Sequence, residues 1–391
     1  MLQGPLDPMR IRQYFNVITM TRELVSGVRD DVTFLTSLRR ALLPIPFGAH
    51  RPLAKAPFPP LRSRPIEHFQ DRRVAVLATG GSGALASLVG AARAFEESGM
   101  RPSCLSLCSG SALFGFPLAA GRTADEVAAF TLGLEPSDLV DLNWPGLLTL
   151  APRLGRGFTG FMRGERIESV YREWLGDVCL GELPTPAYAP VWNVEHNTLD
   201  WVGPWTHPDM TVARAVRMAV ALPLFVEAVE YHDEHYYDGG AADVLPVRPL
   251  LDIEDPPDAV LVVNGFYPPA LAGEDVTGWV QRAGSILYAA SQVRSVQHLQ
   301  LARENLSRLV REVPEVMTIE PVPYATVHGV GLYRQFVDHS RWADFMRAGR
   351  TSALAALGAA GEHSHLDSSA PARPPKKARR RVSRAAGGAA R

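Results

Sequence analysis

Cys104-Leu105-Ser106-Leu107-Cys108-Ser109-Gly110-Ser111-Ala112-Leu113-Phe114-Gly115-Phe116-Pro117-Leu118-Ala119-Ala120-Gly121 is the stretch on which the reading of this chain turns. Cys104 to Cys108 is a short apolar run of the kind that forms a buried strand. Ser109-Gly110-Ser111 is a small-residue turn. Ala112 to Ala120 reads as an apolar helix stopped at Gly121, which takes up the left-handed conformation readily. Strand, tight turn and helix have two readings. One is a plain connection with a serine cap. The other is a nucleophile elbow, in which a serine is pushed out of the backbone above the positive end of a helix.

The unit before it has the same form. Val74 to Ala78 is a short apolar strand, Thr79-Gly80-Gly81-Ser82-Gly83 a glycine-rich turn, and Ala84 to Glu97 a helix stopped by Gly99. Glycines there let backbone N–H groups converge on an anion at the helix N-terminus. A phosphate loop would need Gly-Lys-Ser/Thr, and no Lys is present. A dinucleotide fingerprint is met only in a variant form, with Ala86 as its last member. An oxyanion hole built from Gly80, Gly81 and Gly83 fits better, because a serine turn follows one unit later. If the two strands are adjacent and parallel, both turns open at the same edge of the sheet.

Composition sets the outer bounds. The chain has 391 residues, 46% hydrophobic and 21% charged, with a net charge of −1. That is ordinary for a globular protein and excludes a nucleic-acid binder driven by overall charge. Three cysteines make no disulfide framework. The Cys104/Cys108 spacing lacks the second pair a metal site needs, so no metal is expected. No signal-peptide pattern and no run of ~18 apolar residues is visible, so a cytoplasmic location is expected.

The chain divides into three parts. Residues 1–70 hold a helical segment and a Pro-rich connector, residues 71–357 an α/β domain, and residues 358–391 a disordered basic tail. Within the domain, Ala189–Glu195 and Thr198–Val202 read as a hairpin. Thr211–Leu222 is an Ala-rich helix ended by Pro223, Val226–Tyr231 reads as one strand, and Gly331–Arg347 reads as helical. Asp238-Gly239-Gly240 is a turn that follows a tyrosine pair. Arg373 to Arg384 carries seven basic residues and no acid. Its role is either solvated flexibility or attraction to anionic lipid.

Four pieces in this order resemble the patatin-like phospholipases. Thr79 to Gly83 stands where that family has its oxyanion loop, and Leu107-Cys108-Ser109-Gly110-Ser111 stands at its G-x-S-x-G elbow. Ala215 to Phe225 is similar to its Ala-rich helix, and Asp238-Gly239-Gly240 to its Asp-Gly-Gly/Ala. The departures are at the elbow, where Leu107 replaces the first glycine and Ser111 the last, and in the oxyanion loop, where no Arg lies between Gly80 and Ala92.

The resemblance implies a three-layer α/β/α sandwich around a mostly parallel sheet. It also implies a lipid acyl hydrolase that uses a Ser-Asp dyad and no cofactor. Ser109 is then the nucleophile, with Ser111 its rival, and Asp238 is the base. Ser109 is preferred because it stands at the strand's end. Of the histidines, His232, His235, His328 and His339 are available as bases, but no motif places them. The departures motivate a second reading, a non-catalytic lipid-binding or regulatory protein of the same fold. The partners implied are a lipid or acyl-ester substrate and, through the basic tail, peripheral contact with an anionic membrane; no specific nucleic acid is implied.

Overall fold

A computed structural model describes residues 53–268, 286–327 and 335–364, apart from residues 151, 153, 155, 336 and 337. The helix expected within residues 1–43 and the basic run from Arg373 lie outside these.

The strands are β1 (Val74–Ala78), β2 (Leu105–Ser106), β3 (Gly160–Met162), β4 (Ala187–Asn193), β5 (Thr198–Val202), β6 (Leu224–Val226), β7 (Val229–Tyr231), β8 (Glu234–Asp238), β9 (Ala259–Val263) and β10 (Glu315–Ile319). The longer helices are α1 (Ser87–Glu97), α2 (Ala112–Ala119), α3 (Ala124–Gly133), α4 (Trp144–Leu150), α5 (Glu165–Leu175), α6 (Val212–Ala219), α7 (Ile286–Glu312) and α8 (Trp342–Ser364).

The main sheet runs β10-β9-β1-β2-β4-β8-β7, with β5 on the second edge of β4; β3 and β6 form a separate parallel pair. From β10 to β4 every neighbour is parallel, and β5, β8 and β7 are antiparallel. Parallel strands of this kind are covered on both faces and read as continuous apolar runs. Along β1, Val74, Val76 and Ala78 enter one core, with α1, α2, α6 and α8; Ala75 and Leu77 enter a second core, with α7 and the 244–251 segment. Strand β9 alternates in the same way. The fold is therefore a three-layer α/β/α sandwich around a mostly parallel sheet.

Helix α8 closes the first layer. A Cβ on Gly90 would overlap the Met346 carbonyl, and one on Gly349 would overlap the Ser87 carbonyl, so α1 and α8 touch backbone to backbone. Beside that crossing, Arg350 grips both oxygens of buried Glu97 at 2.8 Å, and buried Arg93 lies 3.4 Å from the same carboxylate.

Three sequence expectations are adjusted. Helix α8 runs to Ser364, past the expected domain limit at residue 357, because Ala353 to Ala360 is strong helix-forming sequence. Of the helix expected over 331–347, the described part is a helical Gln335, a capped turn at His339–Arg341 and the start of α8. The single strand expected over 226–231 is two, because β6 pairs with β3 whereas β7 pairs with β8.

Candidate functional site

Strand β4 brings the two key turns together. On one of its edges the N–H of Leu107 donates to the Tyr188 carbonyl, and further along the N–H of Val194 donates to the His235 carbonyl. Both contacts use even-numbered residues, Tyr188 of β4 and Val194 just past its end, so β2 and β8 share that edge. Strand β2 runs parallel to β4 and β8 antiparallel to it, so their C-terminal ends face each other. The gap is the step from Tyr188 to Val191, with Ala189 and Pro190 between them, about 10 Å at strand rise. Pro190 sits in this gap. A proline has no N–H, so none is left orphaned where the ladder is open.

Ser109 follows the end of β2 and Asp238 ends β8. Ser109 has φ +50°, a left-handed conformation that is strained for most residues other than glycine. It opens a single 3-10 turn that leads into α2. Glycines allow the close approach. A Cβ on Gly240 would stand 3.0 Å from Asp238 Oδ1 and 3.5 Å from Ser109 Cβ, and one on Gly239 would overlap the backbone of Pro190.

Asp238 is buried, and its Oδ1 accepts the Gly240 N–H at 2.8 Å. Its Oδ2 receives no well-formed hydrogen bond among the described residues. The Ser109 hydroxyl is nevertheless near enough to favour the ionised form. Burial dominates and pushes the carboxyl pKa up to about 7, against the smaller downward pull of Ser109 and Gly240. Hydrogen bonds between catalytic groups are often long or poorly aligned before a substrate binds.

Ser111 is placed differently. It is fully buried, its Oγ accepts the Cys108 N–H at 2.7 Å, and its hydroxyl donates to the Cys108 carbonyl at 2.8 Å. It braces the turn from inside. Leu107 is buried too, and it packs on Gly115 of α2, which has no side chain to obstruct it.

The three glycines expected to line an oxyanion hole separate. The Gly80 N–H donates to the Val244 carbonyl at 3.0 Å and is not available to a ligand. The reason is that the segment following the Asp238 turn passes the end of β1 and presents the Val244 carbonyl there. Gly80 must still be a glycine, since a Cβ there would lie 2.8 Å from Val244 Cγ1 and 3.1 Å from Cys108 Sγ. Gly83 is packed on its Cα side against Trp342 and the Gln335 carbonyl, where a Cβ would overlap both. Gly81, at φ +141°, stays beside the serine turn, and its carbonyl would collide with a Cβ on Gly110. Gly110 was not singled out from sequence. The signal was available: it follows Ser109 and begins a helical turn, where N–H groups lack intrahelical partners.

No described histidine hydrogen-bonds to Ser109 or Asp238. His298 of α7 comes near, but it contacts the Ala241 carbonyl at 2.9 Å. His235 pairs with Glu195, and His339 with the Leu134 carbonyl. His328 lies outside the described residues. Behind the Asp238 turn, the Asp243 carboxylate receives the Leu245 N–H at 3.0 Å and Asn305 Nδ2 at 3.1 and 3.2 Å, which ties the 238–245 segment to α7. Among the described residues no cluster of His, Cys, Asp and Glu could hold a metal ion. No described helix is long and apolar enough to cross a membrane.

Residues 75–251 match the family model described as patatin-like phospholipase. That span begins in β1 and ends after Asp243, so it contains both turns. The chain carries a patatin-like phospholipase domain. The domain is also similar to uncharacterized NTE family proteins of Mycobacterium bovis and Mycobacterium tuberculosis. These are 28% identical over 233 residues, covering 57% of this chain and 60% of theirs. The chain thus spans about 60% of the length of the curated relatives it matches. Among solved structures, VipD from Legionella pneumophila aligns with a TM-score of 0.42 at 14% identity, over 81% of this chain and 72% of that one. Human GIVD cytosolic phospholipase A2 aligns at 0.42 and 13%, over 75% and 59%.

Proposed function

We propose that this patatin-like domain is a lipid acyl hydrolase in which Ser109 is the nucleophile and Asp238 the general base. The observation that carries the reading is a strained, half-buried serine between strand and helix, beside a buried carboxylate with a raised pKa. A serine hydroxyl is a poor nucleophile until a base takes its proton. A carboxylate with a pKa near 7 is a far better base than one in water.

In the proposed reaction Asp238 accepts the Ser109 proton as Oγ attacks the acyl carbonyl. Asp238 then returns that proton to the departing alcohol. Water, deprotonated by Asp238, releases the acid from the acyl-enzyme. The N–H groups of Gly81 and Gly110 would receive the oxyanion, a contribution of about 3–4 kcal/mol per donor. This revises the expected trio of Gly80, Gly81 and Gly83. None of these steps needs a cofactor.

The Gly80 N–H, already bound to the Val244 carbonyl, weighs against a phosphate cradle and hence against a nucleotide-binding role. The fit of Leu107 on Gly115 removes one motive for a non-catalytic reading. A fluorophosphonate probe tests the proposal: it should label the chain, and labelling should vanish in Ser109→Ala. Absence of labelling in the parent chain would favour the lipid-binding alternative. Anionic-membrane contact through the basic tail is a further part of the proposal. Deleting residues 371–391 should weaken binding to anionic vesicles at low salt, and unchanged binding rejects it.

A further inference from the structure

The domain leaves a set of large apolar side chains in water on one side of the Ser109–Asp238 site. Trp144 and Leu148 lie four residues apart, on one face of α4, and are 61% and 77% exposed. Leu154 is 89% exposed, Phe161 of β3 is 44% exposed, and Leu224 of β6 is 73% exposed. The pieces are joined. The Asn143 N–H donates to the Phe161 carbonyl at 2.8 Å, and Gly160 of β3 pairs with Leu224 of β6. Single exposed leucines need no explanation, but a joined group of this size does.

The group borders the site. The Asp238 N–H donates to the Ala221 carbonyl at 2.9 Å, three residues before Leu224, and Tyr237 donates its hydroxyl to the Thr159 carbonyl at 2.7 Å, one residue before β3. Leu224 has φ +73°, in the left-handed region where a branched residue is out of place. An apolar side chain held in a strained conformation and turned towards water is unfavourable twice over. Strain of this kind collects where a ligand is bound.

The charge of the segment identifies what would cover it. Between Asp141 and Glu165 the sequence carries Arg153, Arg156 and Arg163 and no acid, although Arg163 pairs with Glu165 itself at 2.6 Å. Apolar and aromatic residues interleaved with arginines suit the boundary between acyl chains and phosphate headgroups.

We propose that α4, Leu154, Phe161 of β3 and Leu224 of β6 form the surface by which this domain docks on an anionic phospholipid bilayer, with the mouth of the Ser109–Asp238 site at its border. The docking surface builds on the hydrolase reading, since it would bring that site to its substrate, but its binding test is independent of turnover.

The test uses the full chain with Ser109→Ala, so that no lipid is consumed. Co-sedimentation with vesicles of phosphatidylcholine and phosphatidylglycerol is compared with and without the triple change Trp144→Ser, Leu148→Ser and Leu154→Ser. These side chains are exposed, so the fold should tolerate the change, and the circular dichroism melt checks this. Binding should fall at least tenfold. In the Ser109 background the same triple change should leave turnover of a soluble short-chain ester unchanged while vesicle hydrolysis falls. Equal vesicle binding with and without the change overturns the proposal, as does failure of the parent chain to bind vesicles. Conversion of a dimer to a monomer by the same change also overturns it, because the surface would then belong to a second copy. Patch-dependent binding by a chain that hydrolyses neither ester would sustain the docking surface and sink the hydrolase reading instead.

Discussion

Leu107 and Gly115 are fitted to each other. A methyl group on Gly115 would stand 3.0 Å from Leu107 Cγ and overlap both of its Cδ atoms. The bulky residue just ahead of Ser109 is therefore matched by an absent side chain one helical turn into α2. Gly115→Ala should overpack this site and cost about 1–3 kcal/mol, whereas Leu107→Ala should leave a hole costing about 2–5 kcal/mol. Their costs should not add, because the smaller Leu107→Ala side chain makes room for the new methyl. Urea unfolding of both single variants and the double variant measures this; strict additivity would mean that the two positions are not coupled.

Ser111→Ala should affect stability and spare chemistry. The substitution leaves the buried Cys108 N–H without its acceptor, a loss of about 1–3 kcal/mol. Fluorophosphonate labelling should persist in that variant. In Ser109→Ala, labelling should disappear and turnover fall by at least about 10³-fold. If Ser111→Ala removes the label while the fold survives, the assignment of the nucleophile is wrong.

Asp238 should set the pH dependence. It must be ionised to act as a base, so activity should rise with pH through about 7. Stability should move the opposite way. A carboxyl whose folded pKa is raised from 3.8 to about 7 is protonated in both folded and unfolded chains at low pH, and costs nothing there. As pH rises between those values the cost of burying its charge grows, and it is complete above the folded pKa. Asp238→Asn should therefore be inactive, more stable than the parent at pH 8, and no more stable than it near pH 4. Ser109→Ala removes a group that lowers the pKa of Asp238, and should raise it further. Thermal melts across pH test the first statement, and titration of the carboxyl by NMR tests the second.

Gly110→Ala should disable the site without unfolding it. The new methyl would meet the Gly81 carbonyl and push the 80–82 loop away from Ser109. Turnover should fall by at least about 10²-fold, in keeping with the loss of one oxyanion donor. A variant with normal kcat would show that the Gly81–Gly110 approach has no part in the reaction.

Glu97→Gln should be among the most damaging changes distant from the site. It removes the carboxylate that Arg350 grips at 2.8 Å and that lies 3.4 Å from buried Arg93, although Arg93 keeps Asp125 at 2.9 Å. Removing one partner of such a buried pair costs about 3–5 kcal/mol. Denaturation monitored by tryptophan fluorescence reads the loss, and a change below about 1 kcal/mol would contradict the packing described for α1 and α8.

Much of the architecture was legible because it is local. The apolar runs at Val74 to Ala78 and Ala259 to Val263 fit strands covered on both faces, and both are. Gly99 and Gly121 end their helices with φ +68° and +87°, as their position after apolar periodic segments foretold. Where a segment's partner was distant, reading failed. Nothing between Val226 and Tyr231 announces that β6 would pair with β3 and β7 with β8. The exposed face of α4 was equally invisible, since an apolar helix reads the same whether a neighbour covers it or not.

By itself the sequence determined the order of the turns and their chemistry: a hydroxyl after β2, a carboxyl after β8, and glycines wherever the backbone had to come close. Only the tertiary structure decided which of those groups meet. The two turns lie more than a hundred residues apart, and it is the shared edge of β4 that aims their ends at one another. The same folding gave the Gly80 N–H to Val244 and turned Gly83 towards Trp342. A glycine in the chain states that space is short; which atom takes that space depends on long-range packing that no local pattern encodes.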